Sequence, residues 1–242
     1  ATTVQPEFAR LQSDIDACTL CADQLPLGPR PVIQAHPSAK ILIVGQAPGT
    51  AVHHTGIPFN DPSGDRLRAW LGVDKHVFYD AEKIALVPMG FCYPGKGKGG
   101  DLPPRPECAA RWREQLLGYL TQVRLTILVG RYAINWHLRP CKAATLTDVV
   151  KKWRHYAPKT IPLPHPSPRN TQWLSRNPWV KKEIVPYLQK RVADVLTKWT
   201  CKTQPIIKDR TLRLYSGALR TLGRVKVRSF NDSTHVQPTL HD

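Results

Sequence analysis

The sequence contains few acidic residues, a single Met and no long hydrophobic segment. Asp and Glu together account for 18 of 242 residues, against 35 Lys and Arg. The longest apolar runs, at 41–45 and 84–89, have the length of β-strands, whereas a membrane-spanning helix needs about 20 apolar residues. The sequence therefore predicts neither a membrane helix nor a membrane partner.

The rest of the composition is that of a folded, basic protein. Apolar residues make up 41% of the chain, including 7 Trp, 7 Tyr and 5 Phe, which is enough for a hydrophobic core. The formal net charge of +17 makes a polyanion the expected partner, and the commonest one is nucleic acid. Composition alone leaves open an anionic membrane surface or a purely solubilising role of the charge.

The sequence does not begin with a positively charged segment followed by an apolar stretch. It therefore predicts no secretory signal peptide. We expect the protein in the cytoplasm or nucleoid if it is bacterial, and in mitochondria if a transit peptide has been removed. Its six Cys are unevenly spaced, which is more typical of metal ligands and spare thiols than of a disulfide framework.

Four short β-branched runs separated by helical patterns predict an α/β fold. The runs lie at 41–45, 84–88, 125–130 and 160–164, and helices are predicted at 64–71, 106–121, 131–138, 145–153 and 180–199. Strands that are apolar on both faces are typical of parallel sheets covered on both sides. We expect a three-layer α/β/α sandwich with a central, mainly parallel four-stranded sheet, spanning residues 1–200 and including an N-terminal Cys segment.

Three segments rich in Gly, Pro, His and Asn follow the predicted strands, at 46–61, 89–108 and 165–173. The ligand site of a parallel α/β sheet lies beyond the carboxyl ends of its strands. We therefore expect the three segments to form one site.

Residues 201–242 are interpreted as a basic C-terminal extension. They contain eight Lys or Arg and three Asp, a net charge of +5. Alternation at 211–215 and 224–230 predicts two short strands around a Gly-containing turn. We expect the extension to contact a nucleic-acid backbone, with a solvated tail as the alternative.

The loop from Gly90 to Gly97 resembles a phosphate-binding P-loop but lacks its final residue. Gly97 stands where a P-loop has a Ser or Thr that ligates magnesium. The motif therefore does not indicate a nucleoside triphosphate site. Lys96 and Lys98, in the same Gly-rich stretch, are instead candidates for contacts with a nucleic-acid backbone.

Four of the Cys have a spacing that suits a metal centre. Cys18 and Cys21 form a C-x2-C pair, and Cys92 and Cys108 lie sixteen residues apart across a Pro-rich loop. Four thiolates can hold zinc or an iron–sulfur cluster, and the wide second spacing favours the cluster. Four unrelated core Cys are the alternative.

Two further motifs resemble the signature sequences of the uracil-DNA glycosylase superfamily. The first is Gly45-Gln-Ala-Pro-Gly49 followed by Gly56-Ile-Pro-Phe59, and the second is His165-Pro-Ser167. The spacing of the four Cys is similar to that in the iron–sulfur branch of this superfamily, the families usually numbered four and five. The resemblance covers about residues 14–193.

The resemblance implies an activity, a partner and a cofactor. The protein would hydrolyse the N-glycosidic bond of uracil or other deaminated bases in DNA, as a monofunctional enzyme that flips the base out of the helix. It would act as a monomer. By similarity to the iron–sulfur branch, a 4Fe–4S cluster would be bound by Cys18, Cys21, Cys92 and Cys108, with zinc as the less favoured occupant.

The resemblance also implies roles for individual residues. Because cleavage leaves negative charge on the departing base, the site needs a donor near the base carbonyl, and His165 occupies the family's position for it. Phe59 is similar to the Phe that stacks on the flipped base, with Gly45 as a further base-binding residue. A structural His and a core Phe are the alternatives.

This sequence departs from the family pattern at two positions. Gln46 stands where family four has a carboxylate, and Gln cannot act as a base. The stretch from Asp61 to Asp65 is similar to a family-five motif, so Asp61 is the candidate for activating water or stabilising the sugar cation, with a turn-forming role as the alternative. Pro88 stands where many relatives have an Asn that reads uracil, and we expect a broader range of bases.

The loop after His165 supplies candidate DNA contacts. In relatives, the corresponding loop pushes a side chain into the gap left by the flipped nucleotide. Arg169 and Asn170 are the candidates for that role, and the Ser167 hydroxyl is a candidate phosphate ligand.

A catalytically inactive glycosylase-like fold is the alternative function. The chain would then be a nucleic-acid-binding or structural subunit of a ribonucleoprotein, such as an organellar ribosome, with RNA as its partner. Gln46, Pro88 and the excess positive charge are compatible with that role. An enzyme keeps an open cleft between Phe59 and His165, whereas a structural subunit can fill it.

Overall fold

The computed structural model describes residues 4–140 and 144–197. The basic extension predicted at 201–242, its two short strands and the predicted domain boundary at residue 200 lie outside the described residues. Within the two described ranges, no helix combines the length and the apolar character needed to cross a membrane.

The described part of the chain contains six strands in two separate sheets. In chain order they are β1 (Ile41–Val44), β2 (Ile84–Leu86), β3 (Lys96–Gly97), β4 (Gly100–Asp101), β5 (Leu125–Val129) and β6 (Thr160–Leu163). The four longer strands make a sheet in the order β2-β1-β5-β6, and β3 pairs with β4 in a short antiparallel hairpin. The P-loop-like stretch of the sequence thus ends in a hairpin rather than in a helix.

The central sheet is parallel throughout. Ile43 of β1 lies opposite Leu86 on one neighbouring strand and Ile127 on the other. Every residue of β1 and β2 is buried, as expected of apolar strands that are covered on both faces. Each of the four predicted runs contains one strand of this sheet, which confirms the predicted topology.

The helices follow the strands in the alternation that the sequence predicts. In chain order they are α1 (Val4–Asp16), α2 (Thr50–Thr55), α3 (Pro62–Leu71), α4 (Lys75–Phe78), α5 (Pro106–Cys108), α6 (Glu114–Tyr119), α7 (Arg131–Leu138), α8 (Leu146–Lys151), α9 (Trp153–Tyr156), α10 (Thr171–Arg176) and α11 (Val185–Thr197). Shorter turns lie at Ala22–Gln24 and Pro168–Asn170, and π-helical turns at Ala109–Arg113 and Val180–Ile184 lead into α6 and α11.

Helices cover the sheet and complete the predicted three-layer sandwich. α7 packs on β5, while α8 and α9 pack on β6; α3 contacts α11, and α1 contacts α6. Large side chains such as Phe78, Leu67 and Leu116 are fully buried between these layers. The core therefore fixes the sheet rigidly and leaves the loops at its carboxyl edge to form a site.

The predicted helices differ from the observed ones mainly at their ends. α7 coincides with the prediction, and α3 begins two residues early because Asp61 caps it and Pro62 occupies its first turn. The helix predicted at 106–121 contains a π-helical turn, and the one predicted at 145–153 stops at Lys151. The short helices α2, α4 and α10 were not predicted, because four to six residues show too little periodicity.

Candidate active site

A cavity of about 570 Å³ lies at the carboxyl ends of β1, β2 and β6. We call it the strand-end cavity. All three segments that were predicted to meet contribute to it, the middle one through the β3–β4 hairpin. The sequence-predicted residues that line it are Gly45, Gln46, Phe59, Asp61, Pro88, His165, Ser167, Arg169 and Asn170. The cavity is open, so no side chain of the described residues fills the cleft expected between Phe59 and His165.

Phe59 is held in one position by its neighbours. Its backbone adopts a left-handed conformation with φ of 54°, which a bulky residue rarely does. Arg68 donates a hydrogen bond to the Phe59 carbonyl at 3.2 Å. A Cβ on Gly64 would overlap that carbonyl oxygen, and one on Gly45 would lie 3.0 Å from Cζ of the ring. The ring therefore lies close against the end of β1 because Gly45 has no side chain.

Asp61 combines a structural position with a place in the cavity. Its Oδ1 accepts the backbone N–H of Gly64 at 2.8 Å and caps α3, which is the turn-forming alternative that the sequence left open. In the described part of the chain its Oδ2 takes part in no hydrogen bond, and the side chain lines the cavity. The helix cap thus orients the carboxylate and leaves one oxygen for another partner.

His165 is oriented as a neutral hydrogen-bond donor. The backbone N–H of Ser167 donates to its Nδ1 at 3.2 Å. Burial lowers the pKa of His165, while the charges of Asp61 and Asp101 act in the opposite direction. A neutral ring that accepts at Nδ1 carries its proton on Nε2. The ring can therefore donate from Nε2 to an acceptor in the cavity.

Arg66 connects α3 to the loop that carries His165, a contact that the sequence did not reveal. Its guanidinium donates to the Ser167 carbonyl at 3.0 Å and to Oγ1 of Thr171 at 3.1 Å. The partners are 101 and 105 residues away in the chain. No local spacing could have indicated this link, which joins α3 to the second signature motif.

Gln46 and Pro88 line the cavity without supplying an ionisable group. The side-chain amide of Gln46 donates to the carbonyl of Leu102 at 3.0 Å. Pro88 has no polar side-chain atom, but its carbonyl accepts a hydrogen bond at 2.9 Å from Arg113.

Arg113 is a second residue that sequence analysis missed. Its side chain is fully buried, and its guanidinium also contacts the Val87 carbonyl and the ring of His137. Burial lowers the pKa of Arg113 to about 10, which leaves it charged at neutral pH. A buried cation held by backbone carbonyls fixes the segment 87–88, which forms one wall of the cavity.

The candidate DNA contacts fall into three groups. Asn170 donates to the carbonyl of His165 at 2.8 Å, so its amide holds the loop. Ser167 and Arg169 stand at the cavity, where Ser167 accepts the Arg169 backbone N–H at 3.2 Å. Lys96 and Lys98 are exposed on the hairpin and are not among the lining residues.

The four predicted ligand Cys line a second, mostly apolar cavity, the thiol cavity. The backbone N–H of Phe91 donates to Sγ of Cys108 at 3.3 Å, and the indole N–H of Trp112 donates to Sγ of Cys18 at 3.2 Å. All four thiols are free. Across residues 4–140 and 144–197, no three His, Cys, Asp or Glu side chains are arranged to hold a metal ion.

Burial strongly disfavours ionised thiols in this cavity. It raises the pKa of Cys92 to about 11 and that of Cys108 to about 12, and the other thiols add to the effect. Burial also raises the pKa of Cys21, and the charge of Glu107 raises it further. Without a cation Cys21, Cys92 and Cys108 stay protonated, so a bound cation would be needed to convert these three to thiolates.

The fold and the strand-end cavity define a parallel α/β/α protein with a ligand site at the carboxyl edge of its sheet. A family model described as the uracil DNA glycosylase superfamily matches residues 33–189, about two thirds of the chain. The chain belongs to this superfamily, as its motifs predicted. The matched range contains Cys92 and Cys108 but begins after Cys18 and Cys21, and membership of the iron–sulfur branch stays a prediction.

Proposed function

We propose that the protein is a monofunctional DNA glycosylase that hydrolyses the N-glycosidic bond of uracil or another deaminated base. One observation supports this function most directly. Residues that are far apart in the sequence place an aromatic ring, a neutral His and a carboxylate in one open cavity. These are the three groups that excision of a flipped base requires.

The first requirement is a surface for the extruded base. Unstacking a base costs a few kcal/mol, which stacking on an aromatic ring offsets in part. The ring of Phe59 is fixed against Gly45 at the end of β1. A pre-positioned ring loses little conformational freedom when a base stacks on it.

The second requirement is stabilisation of opposite charges as the bond breaks. The base departs with negative charge, and the Nε2 proton of His165 is available to a base carbonyl. The sugar becomes positive, and the carboxylate of Asp61 stabilises that cation or activates the water that attacks it. Neither step forms a covalent bond to the protein.

The choice of base depends on Pro88, which brings no polar side chain to the cavity wall. Its side chain can neither donate nor accept a hydrogen bond, so no polar partner is left unsatisfied when the base is changed. We expect excision of hypoxanthine or xanthine as well as uracil.

We further propose that Cys18, Cys21, Cys92 and Cys108 bind a 4Fe–4S cluster. Each iron of a cubane cluster takes one thiolate, so the thiols surround a volume rather than one ion. Their common apolar cavity and the two N–H donors to sulfur suit such a group. Purified protein should be brown and contain iron and acid-labile sulfide in equal amounts, and zinc in place of iron would overturn this assignment.

The partner we propose is DNA, bound by a monomer. Lys96, Lys98 and Arg169 are exposed beside the cavity entrance or on its hairpin, where they would contact phosphates. The extension at 201–242 would add further contacts, so its deletion should flatten the salt dependence of binding. An unchanged slope would contradict that role.

A panel of oligonucleotides tests the activity. Uracil, hypoxanthine and xanthine in single- and double-stranded DNA are incubated with excess enzyme, and abasic sites are measured by strand cleavage after alkali. We expect release of at least one base by the wild type and not by His165→Ala. Binding without release of any base would contradict the enzyme and favour a structural nucleic-acid-binding subunit, which Gln46 and Pro88 also permit.

A further inference from the structure

Asp101 adds a second carboxylate to the strand-end cavity. It ends β4 of the hairpin and lines the cavity together with Asp61 and His165. In a chain with a net charge of +17, a carboxylate that faces an approaching polyanion weakens binding by repulsion. A second one at the same entrance therefore calls for a chemical role.

The chain holds Asp101 in this place through Gln46. The Gln46 amide donates to the carbonyl of Leu102, the residue after Asp101, at 3.0 Å. The N–H of Leu102 donates to the carbonyl of Gly95 at 2.8 Å and closes the base of the hairpin. Both polar groups of the Leu102 backbone are thus used, and they fix the end of the hairpin over the loop that follows β1.

The Asp101 carboxylate extends across that loop. A Cβ on Gly49 would lie 3.5 Å from its Oδ2. In the part of the chain that the structure describes, neither oxygen forms a hydrogen bond or an ion pair, whereas Asp61 uses one oxygen to cap α3. Both oxygens of Asp101 can therefore accept protons from water.

The electrostatics of His165 agree with this placement. The charges of Asp61 and of Asp101 both raise the pKa of His165 against the larger effect of burial. Both carboxylates therefore act on the ring that faces the cavity. Two carboxylates with different surroundings can take different roles in one reaction.

We propose that Asp101 is a catalytic residue that accepts the proton of the attacking water, while Asp61 stabilises the sugar cation. The proposal rests on the glycosylase function proposed above. Gln46 is a positioning residue for Asp101, since its amide anchors the hairpin that carries the carboxylate.

The step requires no further reactant. The bond between C1′ of the sugar and the base nitrogen breaks, and its electron pair leaves with the base. The water oxygen forms a new bond to C1′, and one water proton passes to Asp101. The proton then reaches the departed base through solvent, which leaves a free base and an abasic sugar.

Asp101→Asn tests the role because it keeps the shape of the side chain and removes the charge. For a base that the wild type releases, we expect the single-turnover rate of excision to fall at least about 100-fold. DNA affinity should stay equal or increase, because a negative charge is removed. Asp14→Asn, the same change at an exposed position of α1, should leave both quantities within twofold.

The outcomes separate this proposal from the one on which it rests. If the wild type releases a base and Asp101→Asn retains a rate within about threefold, the role of Asp101 is overturned and the glycosylase function stands. If the wild type releases no base, both are overturned. If Asp101→Asn also lowers the unfolding midpoint, Asp101→Glu decides: recovery of the rate supports the proposal, and a rate as low as that of Asn overturns it.

A double variant tests the positioning role of Gln46. Gln46→Ala should lower the rate about tenfold, and it should cause no further decrease when Asp101 is already Asn, because the anchor acts through that carboxylate. Effects that multiply in the double variant would overturn the link between the two residues.

Discussion

The strand-end cavity and the thiol cavity differ in how completely the chain itself holds them in shape. In the first, Phe59, Asp61 and His165 are each fixed by hydrogen bonds or close contacts with other residues. In the second, burial opposes the ionisation of Cys92 and Cys108. The comparison indicates that the first cavity is preorganised by the fold, whereas the second would be completed by the cluster that we propose it binds.

The two cavities share a wall, the segment 88–92. Pro88 lines the first cavity, and Phe91 and Cys92 line the second. Arg113 binds the carbonyls at the start of this segment, and Cys108 accepts the N–H of Phe91 near its end. The same helical stretch, 106–119, therefore supports both cavities.

The largest expected effect separates the proposed base release from the proposed cluster. His165→Ala removes the proposed donor to the departing base, and we expect the single-turnover rate of base release to fall about 10²- to 10³-fold. Iron content should stay unchanged, since His165 does not line the thiol cavity. A variant that keeps more than a third of the wild-type rate would contradict its role as donor.

The next effect tests the claim that a bound group completes the thiol cavity. Cys108→Ala should lose iron and lower the unfolding free energy by at least about 2.7 kcal/mol, the linkage expected for a ligand at a hundred times its dissociation constant. Chemical denaturation and iron analysis measure both. Cys141→Ala, which changes a Cys outside the predicted ligand set, is the matched control, and equal behaviour of the two variants would argue against the cluster.

A smaller effect concerns His137, whose ring contacts the guanidinium of Arg113. Burial, followed by the charge of Arg113, lowers the pKa of His137 from 6.5 to about 4. Because the unfolded chain binds a proton that the folded state does not, the unfolding free energy decreases as the pH falls from 6.5 to about 4. We expect a decrease of roughly 2 kcal/mol once solvent screening is allowed for.

His137→Gln should flatten that pH dependence. The Gln side chain can still accept a hydrogen bond from Arg113 but does not titrate in this range. His155→Gln, at an exposed position of α9, should leave the dependence as in the wild type. A wild-type stability that is constant between pH 4 and 6.5 would show that His137 is not protected in this way.

The smallest expected effect lies at the hairpin beside the strand-end cavity. Replacing Lys96 and Lys98 by Ala should reduce the slope of log affinity against log salt by about 0.9 for each DNA phosphate that the variant no longer neutralises. The rate of base release at saturating enzyme should not change. Lys181→Ala, an exposed Lys before α11, is the control, and an identical slope for all three proteins would exclude the hairpin from the DNA interface.

Much of the fold could be predicted because it depends on local patterns. The four strands are short β-branched runs, and their common parallel direction follows from the helical patterns between them. α1 was not predicted, although Phe8, Leu11 and Ile15 face the core at helical spacing. Three apolar residues among many polar ones give a weak pattern, and it is the packing of α1 against α6 that stabilises the helix.

The candidate site could be predicted only in part, because side-chain partners depend on tertiary structure. The motifs indicated which residues line the strand-end cavity. They did not indicate that Asn170 holds the His165 carbonyl, that Arg66 joins α3 to the second motif, or that Asp101 comes to the cavity on a hairpin. These links join residues through contacts that spacing does not encode.

A crystal structure with a DNA duplex that contains a non-hydrolysable 2′-fluoro analogue of a released nucleotide tests the central claim most directly. We predict that the analogue's base is extruded into the strand-end cavity, stacked on the ring of Phe59, with a base carbonyl within hydrogen-bond distance of Nε2 of His165. A base that stays in the helix while the cavity remains empty would contradict the account.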